Sequence, residues 1–489
     1  MAENVGTRLS KTEKFFYGFG DFGNGMTFQF TQLYLLKFYT DIVHIPAYWA
    51  GLIFLVMKFA DAFIDVAVGM WVDGQKKLSK KGKFRPFILY GAGFLSLSAV
   101  ACFVAPSFSI TGKIIYGFVT YAIMSALYSV VNIPYGSLAA SITQNSEDRS
   151  SLSLSRNIGA QLASLISGLA VPIIAFFGDG STNSARGYFM TALCFAVVGC
   201  ISQWLCYKFV KERHVVADAK NSSVKALLKS IKYLFKNGPF IALTFYTLFS
   251  VGAMFLQMGI QLYFFQYVLG NENILSWCSI IMFISLFPVL SVSTKLVKKV
   301  GKKNVALIGS FGQGIVDLII YFYVLNSHSL PVFFVLMFIA DFFMGLMNSV
   351  VFAFVSDVVE YGEYHTGVRS EGITYSAYSF IRKVTQAVGG FVPGFALSII
   401  GYVANQPQTI GVQHGISTVY MLIPGLLAIL GGAIFLLGYK LTDKKHDEIV
   451  AELRNRYQKE GIVEEGITLE TTSDSKKKVV TKIKELSES

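Results

Sequence analysis

The sequence predicts an all-α membrane protein of twelve transmembrane helices in two pseudo-symmetric halves of six, and three observations predict it. Of its 489 residues 53% are hydrophobic and only 15% are charged, against roughly 25% charged in ordinary soluble domains. That shortfall leaves too little polar surface to clothe a water-soluble globule, and the mean hydropathy is +0.53. The apolar residues gather into twelve long runs, each at or above the roughly 20 residues a helix needs to cross a hydrocarbon core. Between the runs, Lys and Arg alternate between rich and poor loops. With 15% aromatic residues, intrinsic disorder is excluded as well.

Taken in order, the runs are 15–38, 48–72, 86–106, 112–138, 152–177 and 188–207, then 239–268, 274–294, 304–325, 331–356, 372–402 and 417–439. Helix is the element for each, because a lipid-facing backbone must satisfy its own hydrogen bonds. A closed barrel would read as ten-residue alternating strands. Basic residues crowd the N-terminus (Arg8, Lys11, Lys14), the loop after the second run (Lys76, Lys77, Lys80, Lys81, Lys83, Arg85), the segment after the sixth and the loop after the eighth (Lys295, Lys298, Lys299, Lys302, Lys303). The intervening loops hold little beyond Lys113 and Arg186. By the positive-inside rule both termini are cytoplasmic in a multi-pass protein of the cell membrane.

The expected organisation is therefore a cytoplasmic N-terminus (1–14), a six-helix half (15–207), a basic cytoplasmic linker (208–238), a second half (239–440) and a charged cytoplasmic tail (441–489). A Lys-rich loop follows the second run of each half, KKLSKKGKFRP and then KLVKKVGKK. Two six-span halves joined by a cytoplasmic linker make the layout of the major facilitator superfamily, with the substrate site between the halves near the midplane. In the tail, DKKHDEIVAELRNRYQ is expected to form a short amphipathic helix. The net charge of +12 sits in orienting loops, so no nucleic-acid partner is implied. The five cysteines lack metal or redox spacing and read as apolar packing residues. No signal peptide is expected before the first run.

Ionisable groups at membrane depth cost from about 3 kcal/mol upward, so those present are the candidate functional residues. Asp61 and Asp65 stand four apart in the second run and share one helix face. Lys58 precedes Asp61 by three. Two carboxylates so close repel each other, and a proton or a small hard cation would relieve them; a metal at this pair would be Na⁺. The competing reading is a static Lys58–Asp ion pair, although one lysine cannot neutralise two aspartates. Other spans offer Asp21 and Asn24 among glycines in the first, and Asn132, Pro134 and Tyr135 in the fourth, where Pro134 should break or bend the helix. Arg156 begins the fifth, within snorkelling reach of the cytoplasm. Arg382, Lys383 and Gln386 lie in the eleventh, with Lys383 too deep to snorkel easily. Three acidic groups against four basic ones allow rearranging ion pairs across a cavity. Aromatic residues are abundant, and that abundance decides nothing.

YGFGDFGN, KFADAFIDVAVGMWVD with GKFRP, NIPYGSL and SDVVEYGEYHTGVRSEGITYS together resemble the glycoside–pentoside–hexuronide:cation symporter family, over essentially all twelve runs. The resemblance implies a major facilitator fold and sugar uptake driven by H⁺, Na⁺ or Li⁺. It implies that Asp61 and Asp65 are cation-binding carboxylates with the basic Lys58 beside them. It places Arg156 at the sugar site and Lys383 between the sugar and cation sites. Asn132 falls where the family's melibiose site has an aspartate, and Gly25 stands at another such position one turn after Asp21. Gly136 and Asn348 replace two tryptophans of that site, and Ile64 replaces an asparagine of the Na⁺ segment. These departures argue against melibiose and towards H⁺ over Na⁺.

The sequence thus assigns a secondary transporter importing a glycoside, pentoside or other small sugar by alternating access, without cofactor, working as a monomer in the bilayer. A lysolipid or other amphiphile is the alternative cargo. An ATP-driven pump lacks its GxxxxGK[ST] loop, and a membrane-embedded enzyme lacks HExxH, GxSxG or a similar constellation.

Overall fold

A computed structural model describes residues 8–73, 82–143, 145–213, 237–326, 329–366 and 371–459. Lys76, Lys77, Lys80 and Lys81, most of the basic linker and the tail beyond Lys459 lie outside them. Among the described residues the elements are helical. They are α1 (Lys11–Lys37), running on through a π-helical turn at Phe38–Ile42, α2 (Ala47–Asp73), α3 (Arg85–Cys102), α4 (Ile110–Ile142), α5 (Ser146–Gly168), α6 (Ala170–Phe177) and α7 (Ala185–Phe209). After the linker come α8 (Gly238–Tyr267), α9 (Ile274–Val300), α10 (Lys302–Asn326), α11 (Leu330–Thr366) and α12 (Glu371–Ile399). Then follow α13 (Ile410–Ser417), a π-helical turn (Thr418–Leu422), α14 (Ile423–Gly438) and α15 (Asp443–Lys459). Side-chain caps start several of them: Ser10, Asn145, Ser184, Asn237 and Thr409 each accept a first-turn N–H.

Each apolar run coincides with one helix or one broken helix. Among the described residues eight helical segments are long and apolar enough to cross a membrane, and the bent pair α5–α6 makes a ninth. Not among them are α1, α2 and α12, the helices that carry Asp21, Asp61, Asp65 and Lys383. Large apolar side chains such as Phe63, Phe94, Leu97 and Phe176 stand outward and exposed, as a lipid-facing surface requires.

α4 runs on through Pro134 without a break, so of the two outcomes expected there, a break or a bend, the break does not occur. The break falls instead in the fifth run, where α5 and α6 meet at 44°. Pro172 has no N–H to offer the Gly168 carbonyl four residues earlier, and its ring crowds that carbonyl.

The packing repeats. In the first half α1 packs on α5 and α7, α3 on α4 and α7, and α2 on α4. In the second half α8 packs on α12 and α14, α10 on α11 and α14, and α9 on α11. The halves meet through α2 against α12, α5 against α9 and α1 against α8. Glycine allows two of these approaches: a Cβ on Gly159 would lie 2.2 Å from the Gly18 carbonyl, and one on Gly394 2.5 Å from the Ala47 carbonyl.

Hydrophobic packing is asymmetric along the bundle. One core draws on both halves at the end where α1 finishes, from Phe38 and Tyr39 to Phe264, Phe265 and Tyr420. At the opposite end each half keeps its own core, around Tyr17, Val72 and Ile142 in the first and Val305, Phe354 and Tyr439 in the second. The halves are thus joined at one end and part at the other.

The expected tail helix forms as α15 and docks on the end of α11. His446 Nε2 lies 2.5 Å from Glu360 Oε2 and 3.4 Å from Asp357 Oδ1, while Tyr364 donates to Glu452 at 3.0 Å and Arg456 to the Tyr364 carbonyl at 3.2 Å. The hydrogen bond to Glu360, aided by the charge on Asp357, raises His446 above the ordinary histidine value of 6.5. A raised folded-state value means that the proton's contribution is complete below about pH 6.5 and is lost as pH rises through the higher folded value. Amide protection across α15 is therefore expected to fall as the medium is taken above about pH 6.5, and His446→Ala to remove that dependence; protection that stays constant with pH contradicts this docking.

Candidate transport site

α2 packs on α12, which brings residues some 320 positions apart into contact. Lys383 on α12 reaches across to α2: its ammonium pairs with Asp65 Oδ2, lies 3.6 Å from Asp61 Oδ2 and donates to the Asp61 carbonyl at 3.2 Å. α4 closes the other side with two hydroxyls one turn apart. Ser125 donates to Asp61 Oδ1 at 2.7 Å, and Ser129 donates to Asp65 Oδ1 at 2.5 Å with a longer 3.4 Å approach to Asp61. The Asp61 side chain is 11% exposed and that of Asp65 32% exposed, so Asp65 is the more open member of the pair. Ile64 supplies no ligand and packs with the apolar cluster around Val68 and Tyr135.

The place expected of Lys58 is thus held by Lys383. Lys58 is buried at 5% exposure, but among the described residues it makes no ion pair. Its ammonium sits 4.7 Å over the Phe28 ring, and Phe28 stacks on Tyr128 at 4.9 Å. A helical side chain leans towards its own N-terminus, so Lys58 reaches away from Asp61, towards α1.

A second cluster lies along α1, α4, α5 and α7. Arg156 Nε donates to Asp21 Oδ2 at 2.6 Å and Nη2 to Oδ1 at 3.3 Å, a two-pronged contact of the strong kind. The guanidinium also lies 4.9 Å over the Tyr135 ring. It therefore pairs across the bundle rather than snorkelling. Tyr17 and Tyr135 exchange hydroxyl-to-carbonyl bonds between α1 and α4 at 3.1 and 2.6 Å. Gln203 donates to Asn24 Oδ1 at 2.7 Å, and Asn24 donates to Asn132 Oδ1 at 3.4 Å. Gly136 lies beside Arg156: a Cβ there would be 3.8 Å from Nη1. Gly25 does not face this cluster; a Cβ on it would meet Ala163 of α5 at 2.5 Å.

Two candidates stay apart. Asn348 is exposed and donates to the Met344 carbonyl of its own helix at 3.0 Å, and among the described residues no hydrogen bond joins it to the cluster. Gln386, half-buried one turn beyond Lys383, makes no hydrogen bond to another described residue. Arg382 lies 5.7 Å from the Phe352 ring, and Phe352 is exposed.

Sequence reasoning passed over other charges. Lys37 and Asp41, each 1% exposed, close the joined end. The Lys37 ammonium lies 3.1 Å from Asp41 and 3.4 Å from Glu272, and it also donates to Gln266. Tyr402 and Tyr267 donate to Asp41 at 2.8 and 3.2 Å, and Asn405 donates to its carbonyl at 2.6 Å. These five partners of Lys37 and Asp41 all belong to the second half. Asp317, buried in α10, accepts from Gln257 at 3.2 Å. Part of the signal was available: Lys37 and Asp317 lie inside apolar runs, and Asp41 stands four residues after Lys37.

The comparisons agree with this architecture. The family described as MFS/sugar transport protein matches residues 16–443. The chain belongs to that family. A symporter of Bacillus subtilis (strain 168), YjmB, described as uncharacterized, is 41% identical over 453 residues, covering 92% of this chain and 96% of the relative. A putative sulfoquinovose importer of Escherichia coli (strain K12) is 37% identical, covering 94% and 97%. Among solved structures, that of a mutant of the nucleoside transporter NupG superposes with a TM-score of 0.64 at 17% identity, covering 88% of this chain and all of that one; at that identity the likeness is one of fold. As a member of the MFS/sugar transport family the chain is a multi-pass membrane transporter of sugars or sugar derivatives and not an enzyme.

Proposed function

We propose that the chain imports its sugar by cation-coupled symport, that H⁺ is the coupling ion, and that Asp61 and Asp65 carry it. The observation that bears most on this is the pair of carboxylates held between Lys383 and the two serines, with Asp65 the more open member. Lys383 is then the element that moves. When a proton settles on the pair, one of the two attractions holding α12 to α2 is lost, and the halves are free to tilt. Four carboxylate oxygens and two hydroxyls also make an oxygen set for a hard cation once Lys383 withdraws, so Na⁺ is the alternative. The apolar Ile64 and the ammonium already in place favour the proton.

The sugar is assigned to the cluster of Asp21, Asn24, Asn132, Tyr135 and Arg156, with Lys383 linking it to the ion pair. Among the described residues Lys58 makes no ion pair with the aspartates, and Gln386 and Asn348, expected at the sugar, make no hydrogen bond to that cluster. Alternating access is supported by the separate cores at one end and the Lys37–Asp41 network at the other, a lock that must open for the opposite orientation. The positive-inside pattern puts the parted end and both termini in the cytoplasm, and the shared core and the two separate ones all form within one chain, which suits a monomer in the cell membrane. In right-side-out vesicles, labelled sugar is expected to exchange with internal unlabelled sugar and to be recovered chemically unchanged. Exchange of lysolipids but of no sugar would move the cargo to the amphiphile class.

A further inference from the structure

We infer that Asp341 of α11 is a contact of the second half with the sugar, its carboxylate accepting hydrogen bonds from two neighbouring ring hydroxyls. This rests on the reading above of a proton-coupled sugar carrier and adds a specificity-determining residue to it.

The sugar cluster assigned above lies on α1, α4 and α5, all in the first half, with Lys383 alone reaching it from the second. A ligand moves an equilibrium only by binding its two states unequally. A sugar that draws the halves together must therefore bond to both. The counterpart of α4 in the second half is α11, for α4 packs on α2 and α3, and α11 on α9 and α10. One side of α11 is filled, since Phe343 and Met347 lie against Gly312 and Gly309 of α10. Another side is open: Asn348 and Phe352 are both exposed. Asp341 stands two helical turns before Asn348 and shares its side. α9 flanks that side, where a Cβ on Gly345 would meet Val289 at 2.6 Å, and so does α12, where the Phe352 ring lies 6.4 Å from that of Tyr378. α9 and α12 also touch α5 and α2 of the first half, so the side between them looks across the cleft.

Depth agrees with this placement. Ala340 belongs to the core that both halves share, and Leu346 to the second half's own. In the sugar cluster, Asn24 lies at the same transition, between Tyr17 and Met26, and so does Asn132, between Val131 and Tyr135. Asp341 stands at the floor of the cleft, where the halves begin to part.

Its chemistry names what it receives. Among the described residues the half-buried Asp341 carboxylate has no hydrogen bond and no ion pair. The groups within its electrostatic reach, Asp317, Cys278 and Tyr420, bring no positive charge. An ionised carboxylate only accepts, and acceptors left empty away from water are costly. Two adjacent hydroxyls of a sugar ring present a pair of donors to the two oxygens, and the charge on the acceptor strengthens both bonds.

The test uses the full-length chain in proteoliposomes. Methyl glycosides of glucose, galactose, xylose and glucuronic acid are compared by exchange, and the best of them is then replaced by analogues carrying fluorine for one ring hydroxyl at a time. Fluorine keeps the size of the group but donates nothing. In the wild type, fluorine at two neighbouring positions is expected to raise KM about tenfold or more, the worth of a hydrogen bond to a charged acceptor. Asp341→Leu removes both oxygens at nearly the same shape. It should raise the KM of the parent sugar and erase the penalty at those two positions, leaving the penalties elsewhere and the protons moved per sugar unchanged. Asp341→Asn should fall between the two, and melting of each variant reports its folding. A wild type without such positions, or an Asp341→Leu protein that keeps its KM or loses affinity equally for every analogue, overturns the inference. So does an Asp341→Asn protein that binds sugar normally but no longer moves protons. Each of these leaves the sugar carrier standing, whereas a wild type that exchanges no member of the panel overturns the carrier reading itself.

Discussion

Asp65→Asn is expected to abolish accumulation of sugar against its gradient, the internal concentration stopping at the external one, while exchange between internal and external sugar persists. The reason lies in how the two oxygens of Asp65 are used. Oδ1 accepts from Ser129, and Oδ2 meets Lys383. Asparagine keeps the shape and can still bond to Ser129, but it carries no charge to hold Lys383 and takes up no proton. The remaining contact is to Asp61, 3.6 Å away, which cannot distinguish loaded from empty. Asp61→Asn is expected to do the same, since Ser125 and Lys383 both engage its side chain. Uptake driven by an imposed pH gradient in proteoliposomes checks both. Normal accumulation in either variant would remove that residue from the ion site.

The second large effect is expected at Lys383. Lys383→Ala leaves two carboxylates one turn apart with only serine hydroxyls between them. Removing one partner of a buried ion pair costs on the order of 3–5 kcal/mol. Some of that will appear as a lower melting temperature, and the rest as loss of function, because α12 joins the halves through this contact. Sugar affinity is expected to fall tenfold or more and to stop depending on the ion. Lys383→Arg restores the charge but not its compact geometry, so it should recover melting temperature more than coupling. Sugar binding that is unchanged in strength and ion dependence would make Lys383 a structural residue only.

Much of this was legible in the sequence, for reasons that can be assigned. Long apolar runs have one solution in a bilayer, so the helices fall where the runs do. Asp61 and Asp65 share a face because the helical period dictates it, and Ser125 and Ser129 meet them because they too are four apart. Spacing along α2 left a static Lys58–Asp pair as the competing reading; in the fold Lys58 lies over Phe28 instead. Which carboxylates face Lys383 was not legible, since only the docking of α12 on α2 brings them together. Pro134 leaves its helix unbroken, whereas Pro172, unremarked in its run, breaks the helix with the help of Gly168. Lys37 and Asp41 were passed over because charges at a span end usually orient a helix, whereas here they are buried against five residues of the second half.

Proton movement tests the account most directly. Proteoliposomes without Na⁺ or a membrane potential, given a pulse of transported sugar, should alkalinise the external medium in step with sugar entry, and the Asp65→Asn protein should admit sugar with no pH change. Sugar entry that leaves external pH unmoved in the wild type and begins only when Na⁺ is supplied would contradict the assignment of a proton to these aspartates.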